Sequence, residues 1–422
     1  MNTVSNSNST VPDEIIRKKK FAILICGVIL YFLTCMAKGL VPGIIYNDLL
    51  KAGLSSEMIA GTGAAFMYAY AASQLLAGVF SNRYGGVRIL LTGGTLFAVG
   101  TILFPWCGIY SLMIAGRILT GLGAGTVFLG VVKILSDLFP AKFAMALGTV
   151  MLCSYFGPVC GTTPMVMLVE LIKWQWAMTL PGAAAAAAVT AILFFAPGTI
   201  KPVVKGETFK ALGQMLKNRK MWLLNLSASS IFGTYYIIST QIGQKSVIDH
   251  CSLTAPKASL VIMVLTIIVA VNNVLVNLIL KCLGNRRKVA ALLAFTLAFL
   301  GAGAGYFAFG FTHSVAMVTL SFVLIAIPAG FFPLFSTIAK EINPPEETGL
   351  AVALLNFWCF AFIALYQNIS GRILQHYTQA DTLAYPPQAY CGIFIFLMIT
   401  GIAGIIAASF YPETRPQTNS GK

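Results

Sequence analysis

Three basic side chains lie inside long apolar segments of this 422-residue chain: Lys38 near the end of the first segment, and Arg117 and Lys133 in the fourth. An ionisable group inside a membrane costs at least about 2.5–3.5 kcal/mol, so each is a candidate for function. Lys38 and Arg117 fall at similar depth in segments that run in opposite directions. Because a guanidinium presents a planar fork to carboxylate or phosphate, we expect Lys38 and Arg117 to hold an anion between them.

A simpler interpretation exists for the two lysines. Lys38 is one helical turn from Pro42, and Lys133 is near the opposite end of its segment. A long side chain in such a position can place its ammonium at the membrane surface. Both interpretations of Lys38 stay open at this point, whereas Lys133 is expected to be structural.

The 13 Asp and Glu residues and the three His residues are expected in loops or at segment ends. A proton-relay carboxylate in the middle of the membrane is therefore not expected. The coupling ion stays open between a proton carried with the substrate and Na⁺, and exchange of anions is a further alternative.

Polar residues recur at helical spacing along several of the apolar segments. Spacings of three, four or eleven residues place side chains on one helix face, which can line a substrate cavity. The same pattern arises where small and polar residues hold helices together. The residues predicted to bind substrate, besides the two cations, are Tyr31, Thr34, Tyr70, Gln74, Tyr236, Thr240, Gln244, Asn356 and Gln367.

The apolar segments that carry these residues each have about the length needed to cross a bilayer, roughly 20 residues. The composition agrees, with 58% hydrophobic residues, 10% charged residues and a mean hydropathy of +0.83. We therefore predict an all-α polytopic membrane protein. Its twelve predicted spans are 21–41, 58–80, 89–106, 112–135, 143–169, 174–197, 221–244, 258–280, 289–311, 315–339, 349–369 and 390–410.

The chain divides into two halves of six spans each. The stretch 198–220 is the only long polar segment between spans, and we interpret it as a cytoplasmic linker between halves 1–197 and 221–422. Short Arg-rich turns containing Gly85 and Gly284 occupy matching positions in the two halves. Homologous halves place a binding site between them, near the membrane midplane.

The net charge of +15 does not indicate nucleic-acid binding, because the basic residues follow the predicted topology. About 20 of the 28 Lys and Arg residues fall on one side, as the positive-inside rule requires of the cytoplasmic side. Both termini are thus predicted to be cytoplasmic. The basic clusters are expected to contact anionic lipid.

Three motifs, at spans two, four and five of the predicted twelve, resemble those of the major facilitator superfamily. The resemblance covers the whole chain. The turn after the second span is similar to the family's loop motif, with Asn82 in place of the usual Asp. Its other matching residues are Gly78, Arg83, Gly85 and Arg88. The fourth span matches at Arg117, Gly121, Gly123 and Gly125, and the fifth at Gly157 and Pro158.

The resemblance implies a secondary transporter that works by alternating access. We also expect a monomer that uses no metal or cofactor. The resemblance places the substrate cavity between spans one, four, seven and ten. It also implies that Arg117 either binds substrate or takes part in proton coupling. In this family breaks such as Pro328, Gly330 and Pro333 in span ten flank a gate. Asp137–Pro140 and Gly349–Asn356 are similar to bacterial organic-anion symporters and phagosomal amino-acid transporters. The implied location is a bacterial inner membrane.

Other classes of function also fit parts of the sequence. A lipophilic-drug efflux antiporter is suggested by Gly157-Pro158 and 12% aromatic residues, although a pump for cations is expected to hold an acid in its cavity. His376 and Asp381 match the H-x4-D spacing of glycerolipid acyltransferases, but a two-residue match is a weak signal and we expect no enzyme. A receptor that binds but does not move its ligand would carry the same pattern.

Overall fold

The computed structural model describes residues 13–197, 213, 216–344, 348–379, 382–410 and 413, and it is all-helical within them. Twelve helical regions correspond to the predicted spans. Spans 1 to 6 are Asp13–Leu40, Ser56–Tyr84, Gly86–Leu103, Tyr110–Leu138, Phe143–Cys160 with Thr163–Ile172, and Trp174–Phe195. Span 7 runs from Arg219–Ile237 through a π-helical turn, Ile238–Ile242, into Gly243–Cys251. Spans 8 to 12 are Ala255–Cys282, Arg287–Phe311, Val315–Ala329 with Phe332–Glu341, Thr348–His376 and Pro387–Phe410.

Ten of these regions, counting the two segments of span 5 together, are long and apolar enough to cross a membrane by composition alone. Spans 2 and 7 complete the predicted set but carry more small and polar residues. Span 7 buries Asn225, Ser227, Ser229 and Ser230 inside the bundle. A helix that faces protein on most sides does not need the apolar surface that lipid requires.

Two spans are broken at proline and glycine. The two segments of span 5 meet at 46°, just after Pro158 and Gly161. Span 10 is interrupted at Gly330–Phe331, between Pro328 and Pro333, so the expected break in span 10 is confirmed. Proline removes a backbone N–H and crowds the preceding turn, which accounts for both positions.

Span 7 is longer than its hydropathy predicts. The sequence places its end at Gln244, whereas the helix continues to Cys251 and buries Lys245, Asp249 and His250. Asp249 is thus in the last turn of a longer span 7, so the expectation that carboxylates lie in loops or at span ends holds for it, and the predicted end of the span at Gln244 is wrong. A hydropathy scan counts Lys245 and Asp249 as two strongly polar residues and so ends the span before them. In the folded protein the two charges pair, which allows the helix to continue.

The helices alternate in direction, so the start of span 1 and the end of span 12 lie at one end of the bundle, called here the termini end. The opposite end, where spans 11 and 12 are joined through Tyr385, is the Tyr385 end. Within the halves, span 4 packs on spans 2 and 3, and span 9 packs on spans 10 and 12. Between the halves, span 2 packs on span 11 and span 5 on span 8. Most of the predicted linker, 198–220, lies outside the described residues.

Candidate functional site

Lys38 lies where the two halves face each other. Its Nζ donates a hydrogen bond of 2.8 Å to the Tyr70 hydroxyl, and it is 4.3 Å from the Tyr70 ring centroid. On the other side, Nζ is 5.7 Å from the ring centroid of Phe360 in span 11. Among the described ion pairs, none includes Lys38. The ammonium is thus held by a phenol and two ring faces, through cation–π attraction.

Aromatic rings from both halves surround this ammonium. Tyr70 and Phe360 have ring centroids 4.4 Å apart, and Tyr236 of span 7 is 6.1 Å from Phe360. The sequence reasoning missed Phe360. It lies four residues after Asn356 and seven before Gln367, so the face already predicted from those two residues would have included it.

Arg117 lies inside the amino-terminal half and not beside Lys38. Its Nε donates to the backbone carbonyl of Thr62 at 3.1 Å, and its Cζ is 4.6 Å from the Phe66 ring centroid. The side chain is 3% exposed, and Nη2 is buried without a hydrogen-bond partner. Phe66 and Tyr70 are stacked on one face of span 2, 6.0 Å apart. The two predicted cations therefore lie against consecutive rings of one stack.

A second polar cluster joins spans 7 and 11. Gln367 donates from Nε2 to the Thr240 hydroxyl at 3.2 Å, and Thr240 donates to the Tyr236 carbonyl at 2.7 Å. Gln241 donates to the backbone carbonyl of Gln367 at 3.2 Å. The sequence reasoning missed Gln241, because the π-helical turn shifts the residues that follow it relative to regular helical spacing. The Oε1 atoms of both glutamines are buried without partners.

Three predicted residues serve packing within the amino-terminal half. The Tyr31 hydroxyl approaches the Met151 sulfur at 3.7 Å, and Thr34 donates to the carbonyl of Tyr31 at 2.8 Å. Gln74 donates to the carbonyl of Gly125 at 2.8 Å, which joins span 2 to span 4. These contacts favour the helix-packing interpretation for all three.

Two further predicted polar residues, Asn356 and Gln244, belong to neither of these clusters. Asn356 is half-buried in span 11. Gln244 lines a cavity of about 240 Å³ at the Tyr385 end, with Asn47, Asp48 and Glu170 among the other lining residues. Burial raises the pKa of Asp48, and the nearby charge of Lys51 partly opposes this rise.

Contacts across the halves are concentrated at the Tyr385 end. The Tyr385 hydroxyl contacts the Ser56 hydroxyl and lies 3.5 Å from that of Tyr46. The Ser56 N–H donates to Gln375 Oε1 at 3.0 Å, and an exposed ion pair joins Arg372 to Glu57 at 3.2 Å. These bonds close the space between the halves at this end.

Small residues allow that closure. A Cβ atom on Gly371 of span 11 would overlap the side chain of Ala60 in span 2. A Cβ on Gly63 would lie 2.9 Å from Pro42 and 3.0 Å from the Gln367 amide. The two spans approach as closely as they do because neither position has a side chain.

A buried ion pair fixes the chain around Tyr385. Lys245 and Asp249 are paired one turn apart, with side chains 2% and 3% exposed. Asp249 Oδ2 also accepts from the Tyr385 N–H at 3.0 Å and from the Tyr390 hydroxyl at 2.6 Å. Lys245 donates to the Leu383 carbonyl at 2.7 Å. The pair thus holds the segment that presents the Tyr385 hydroxyl to the other half.

The described residues of the predicted loop motif lie at the turn between spans 2 and 3. Gly85 has a positive φ of 76° between spans 2 and 3, a conformation that favours glycine. Arg88 is half-buried at the start of span 3. Gly78, Asn82 and Arg83 belong to the stretch 77–84, whose side chains lie outside the described part of the structure.

The helix-motif glycines lie where spans approach each other closely. Gly121 and Gly125 of span 4 pack against the backbone of span 2. Gly157 packs on the Phe32 carbonyl of span 1, and Pro158 follows it before the bend. The H-x4-D match to acyltransferases consists of His376 and Asp381. His376 is the last residue of span 11 and its ring contacts that of Tyr377, whereas Asp381 lies outside the described residues.

Comparison with known proteins agrees with this architecture. Residues 27–367 match the sequence profile of the Major Facilitator Superfamily. A probable chloroplastic anion transporter 3 of Arabidopsis thaliana is 31% identical over 122 residues, 28% of this chain and 24% of that protein. The 4-hydroxybenzoate transporter PcaK of Pseudomonas aeruginosa is 24% identical over 185 residues, 43% of this chain and 41% of that protein.

The first curated relatives are matched over about a quarter of their own length, 24% in each case. The similarity of fold extends much further. The crystal structure of a mutant form of the nucleoside transporter NupG has a TM-score of 0.74 at 13% identity, covering 92% of this chain and 99% of that one. The chain is a multi-pass membrane protein and belongs to the Major Facilitator Superfamily.

Proposed function

We propose that this protein is a secondary active transporter for a small polar metabolite bearing a carboxylate, either an organic anion or an amino acid. The observation that carries the proposal is the Lys38 ammonium, which lies between the halves with a neutral phenol as its hydrogen-bond acceptor. A carboxylate there would form a charge-assisted hydrogen bond, which is roughly twice as strong as a neutral one.

The surrounding rings would complete the substrate site. Tyr70, Tyr236 and Phe360 come from spans of both halves, so a ligand held by Lys38 contacts both. Arg117 would act from behind the Phe66–Tyr70 stack, by adding positive potential and by fixing the rings. Relatives named for transport of anions and of 4-hydroxybenzoate support this substrate class.

We further propose that the termini end faces the cytoplasm of a bacterial inner membrane, and that the transporter works as a monomer. The exposed basic residues Arg17, Lys18, Lys217, Arg219 and Lys220 at the termini end support this orientation through the positive-inside rule. Closure at the Tyr385 end then corresponds to an inward-facing arrangement. The coupling ion would be a proton or Na⁺.

A thermal-shift screen of the detergent-purified protein tests the substrate class. A ligand that binds only the folded state raises its stability by RT ln(1 + [L]/Kd). We expect carboxylates to stabilise the protein and Lys38→Gln to abolish the shift. Stabilisation only by lipophilic cations would contradict the proposal and favour an efflux antiporter. Uptake of the stabilising compound into proteoliposomes, with imposed proton or Na⁺ gradients, then separates transport from binding alone.

A further inference from the structure

A cavity at the Tyr385 end is separate from the Lys38 site. It has a volume of about 240 Å³, and Gln244 lines it. One side of its wall belongs to the amino-terminal half, from the short helix Tyr46–Lys51 and the second segment of span 5. The other side belongs to the carboxy-terminal half, from the last segment of span 7 and the first residue of span 8. A ligand in this cavity would therefore contact both halves.

The cavity can be reached from outside the protein. Lys51 and Glu170 line it and are exposed, Asp48 is half-buried, and Gln244 forms part of its buried floor. A charged side chain is stable in water and costly in lipid, so the exposed Lys51 and Glu170 place the opening at the aqueous surface. The cavity thus leads from a charged rim to a polar, buried floor.

Three helices each turn one face to this space. Side chains three or four positions apart lie on the same side of a helix. The pairs with this spacing that line the cavity are Asp48 with Lys51, Val166 with Glu170, and Gln244 with Ile248. The cavity is thus built by three helix faces together.

The charges that line the cavity are only partly compensated. Within the described residues, no ion pair includes Asp48, Glu170 or Lys51, whereas Lys245 is paired with Asp249. Two free carboxylates and one free ammonium therefore face the same space. Such a set favours a ligand that carries a positive charge, and it also offers a partner to a negative one.

Gln244 is a second, independent sign of a ligand. The residue is 6% exposed, and its side chain has no hydrogen bond to any described residue. Neither of its amide atoms is among the fully enclosed ones, unlike Oε1 of Gln241 and Gln367, so a molecule in the cavity can reach them. Buried polar groups are normally paired. This amide can donate to a carboxylate and accept from an ammonium group.

The volume and the apolar part of the wall limit the ligand to a small organic molecule. A water molecule takes about 30 Å³ of liquid, so the cavity holds the equivalent of about eight waters, more than a bare metal ion fills. It is smaller than the roughly 300–1,000 Å³ of pockets for drug-sized ligands. Val166, Val169 and Ile248 also give the wall an apolar surface.

We propose that this cavity binds an amino acid with an apolar side chain, in its zwitterionic form. The ammonium group would pair with Asp48 and Glu170, and the carboxylate with Lys51, by charge-assisted hydrogen bonds. The Gln244 amide would hydrogen-bond one of the two groups, and the side chain would lie on the apolar surface. A carboxylate without an ammonium group faces two like charges here, so it is not expected to bind, and its stabilising effect remains a test of Lys38 alone.

Equilibrium binding of tritiated L-leucine to the detergent-purified Lys38→Gln protein tests the site, since this variant lacks the ammonium of the proposed substrate site. We expect saturable binding. Isoamylamine is leucine without the carboxylate, and isocaproate is leucine without the ammonium group. Each should compete at least tenfold more weakly than unlabelled leucine. The test does not depend on Lys38, so a failure here and a failure of the proposed function are distinguishable.

Two charge-removing variants in this background locate the bound leucine. Glu170→Gln and Lys51→Gln should each raise the Kd for leucine at least fivefold. Both residues are exposed, so we expect both variants to fold, and their thermal unfolding midpoints check this. The matched controls are Glu57→Gln and Lys257→Gln, which remove exposed charges at the same end but outside the cavity. Each control should change the Kd less than twofold.

Three outcomes would overturn the proposal. Absence of saturable binding to Lys38→Gln, whether or not the wild type binds leucine, would show that the cavity does not hold it. Competition by isoamylamine or isocaproate as strong as that by leucine would identify a site for a single charged group and not for a zwitterion. Equal effects of Glu170→Gln and Glu57→Gln would show that leucine binds outside the cavity.

Discussion

Lys38 of the amino-terminal half and Phe360 of the carboxy-terminal half meet at 5.7 Å, ammonium to ring centroid, with Tyr70 between them. A charge is thus placed at the junction of the two halves, which would separate and rejoin if the proposed transporter works by alternating access. Its partners are neutral groups, which a substrate carboxylate would outcompete. The predictions below follow from this arrangement and from the closed Tyr385 end.

Replacing Lys38 should remove substrate binding without unfolding the protein. Lys38→Gln eliminates the charge but keeps a hydrogen-bond donor near Tyr70, so we expect the Kd for a stabilising carboxylate to rise at least about tenfold, or about 1.4 kcal/mol. Isothermal titration in detergent measures this. Lys257→Gln, at an exposed lysine that begins span 8, is the control. Equal Kd values in both variants would contradict a role for Lys38.

Arg117→Met should separate function from stability. The guanidinium is 3% exposed and its Nη2 has no hydrogen bond, so its burial is incompletely compensated. Replacing such a charge by an apolar side chain is often neutral or stabilising, by up to about 1–4 kcal/mol. We expect an unchanged or higher thermal midpoint together with strongly reduced transport in proteoliposomes. A lower midpoint would show instead that Arg117 holds the amino-terminal half together.

A side chain at Gly371 should prevent closure at the Tyr385 end. Gly371→Val places methyl groups where Ala60 of span 2 now packs, so spans 2 and 11 must move apart. Hydrogen–deuterium exchange should then increase in peptides covering 46–60 and 371–390. Gly392→Ala is a milder control, since its Cβ would lie 3.3 Å from Ile373. Unchanged exchange in Gly371→Val would contradict the account of how small residues allow closure at the Tyr385 end.

The Tyr385 hydroxyl should stabilise the closed end independently of pH. Burial raises the pKa of both Tyr385 and Tyr46 above the usual range, so both remain protonated at physiological pH. Tyr385→Phe removes the contacts to Ser56 and Tyr46, worth about 0.5–1.5 kcal/mol each. Exchange at 46–60 should rise in Tyr385→Phe and stay low in the wild type from about pH 6 to 8. A pH-dependent opening of the wild type would contradict this account.

The buried and exposed ion pairs at the Tyr385 end should behave differently. Asp249→Asn leaves the 2%-exposed Lys245 charged and without a carboxylate partner, at a cost of about 3–5 kcal/mol. The double variant Lys245→Met/Asp249→Asn should recover most of the lost thermal midpoint. Glu57→Gln breaks the exposed pair with Arg372, and solvent screening makes its effect small. Equal losses from Asp249→Asn and Glu57→Gln would contradict the importance of burial.

The sequence by itself determined the class of protein and most of the helices. Hydropathy is a local property, so runs such as 289–311 and 390–410 are identifiable without any knowledge of their neighbours. The break in span 10 is equally local, since Pro328 and Pro333 act on their own helix. Span 7 was harder, because its end is stabilised by pairing and not by apolar composition.

Only the tertiary structure decided which residues meet. The matching depths of Lys38 and Arg117 suggested a shared anion, but depth does not fix the direction in which a side chain points, and Arg117 turns to Phe66 and Thr62 inside its own half. The sequence separation of 136 residues between Asp249 and Tyr385 likewise gives no local signal. Such contacts depend on how helices from distant parts of the chain pack, and that packing arises from the whole set of side chains together.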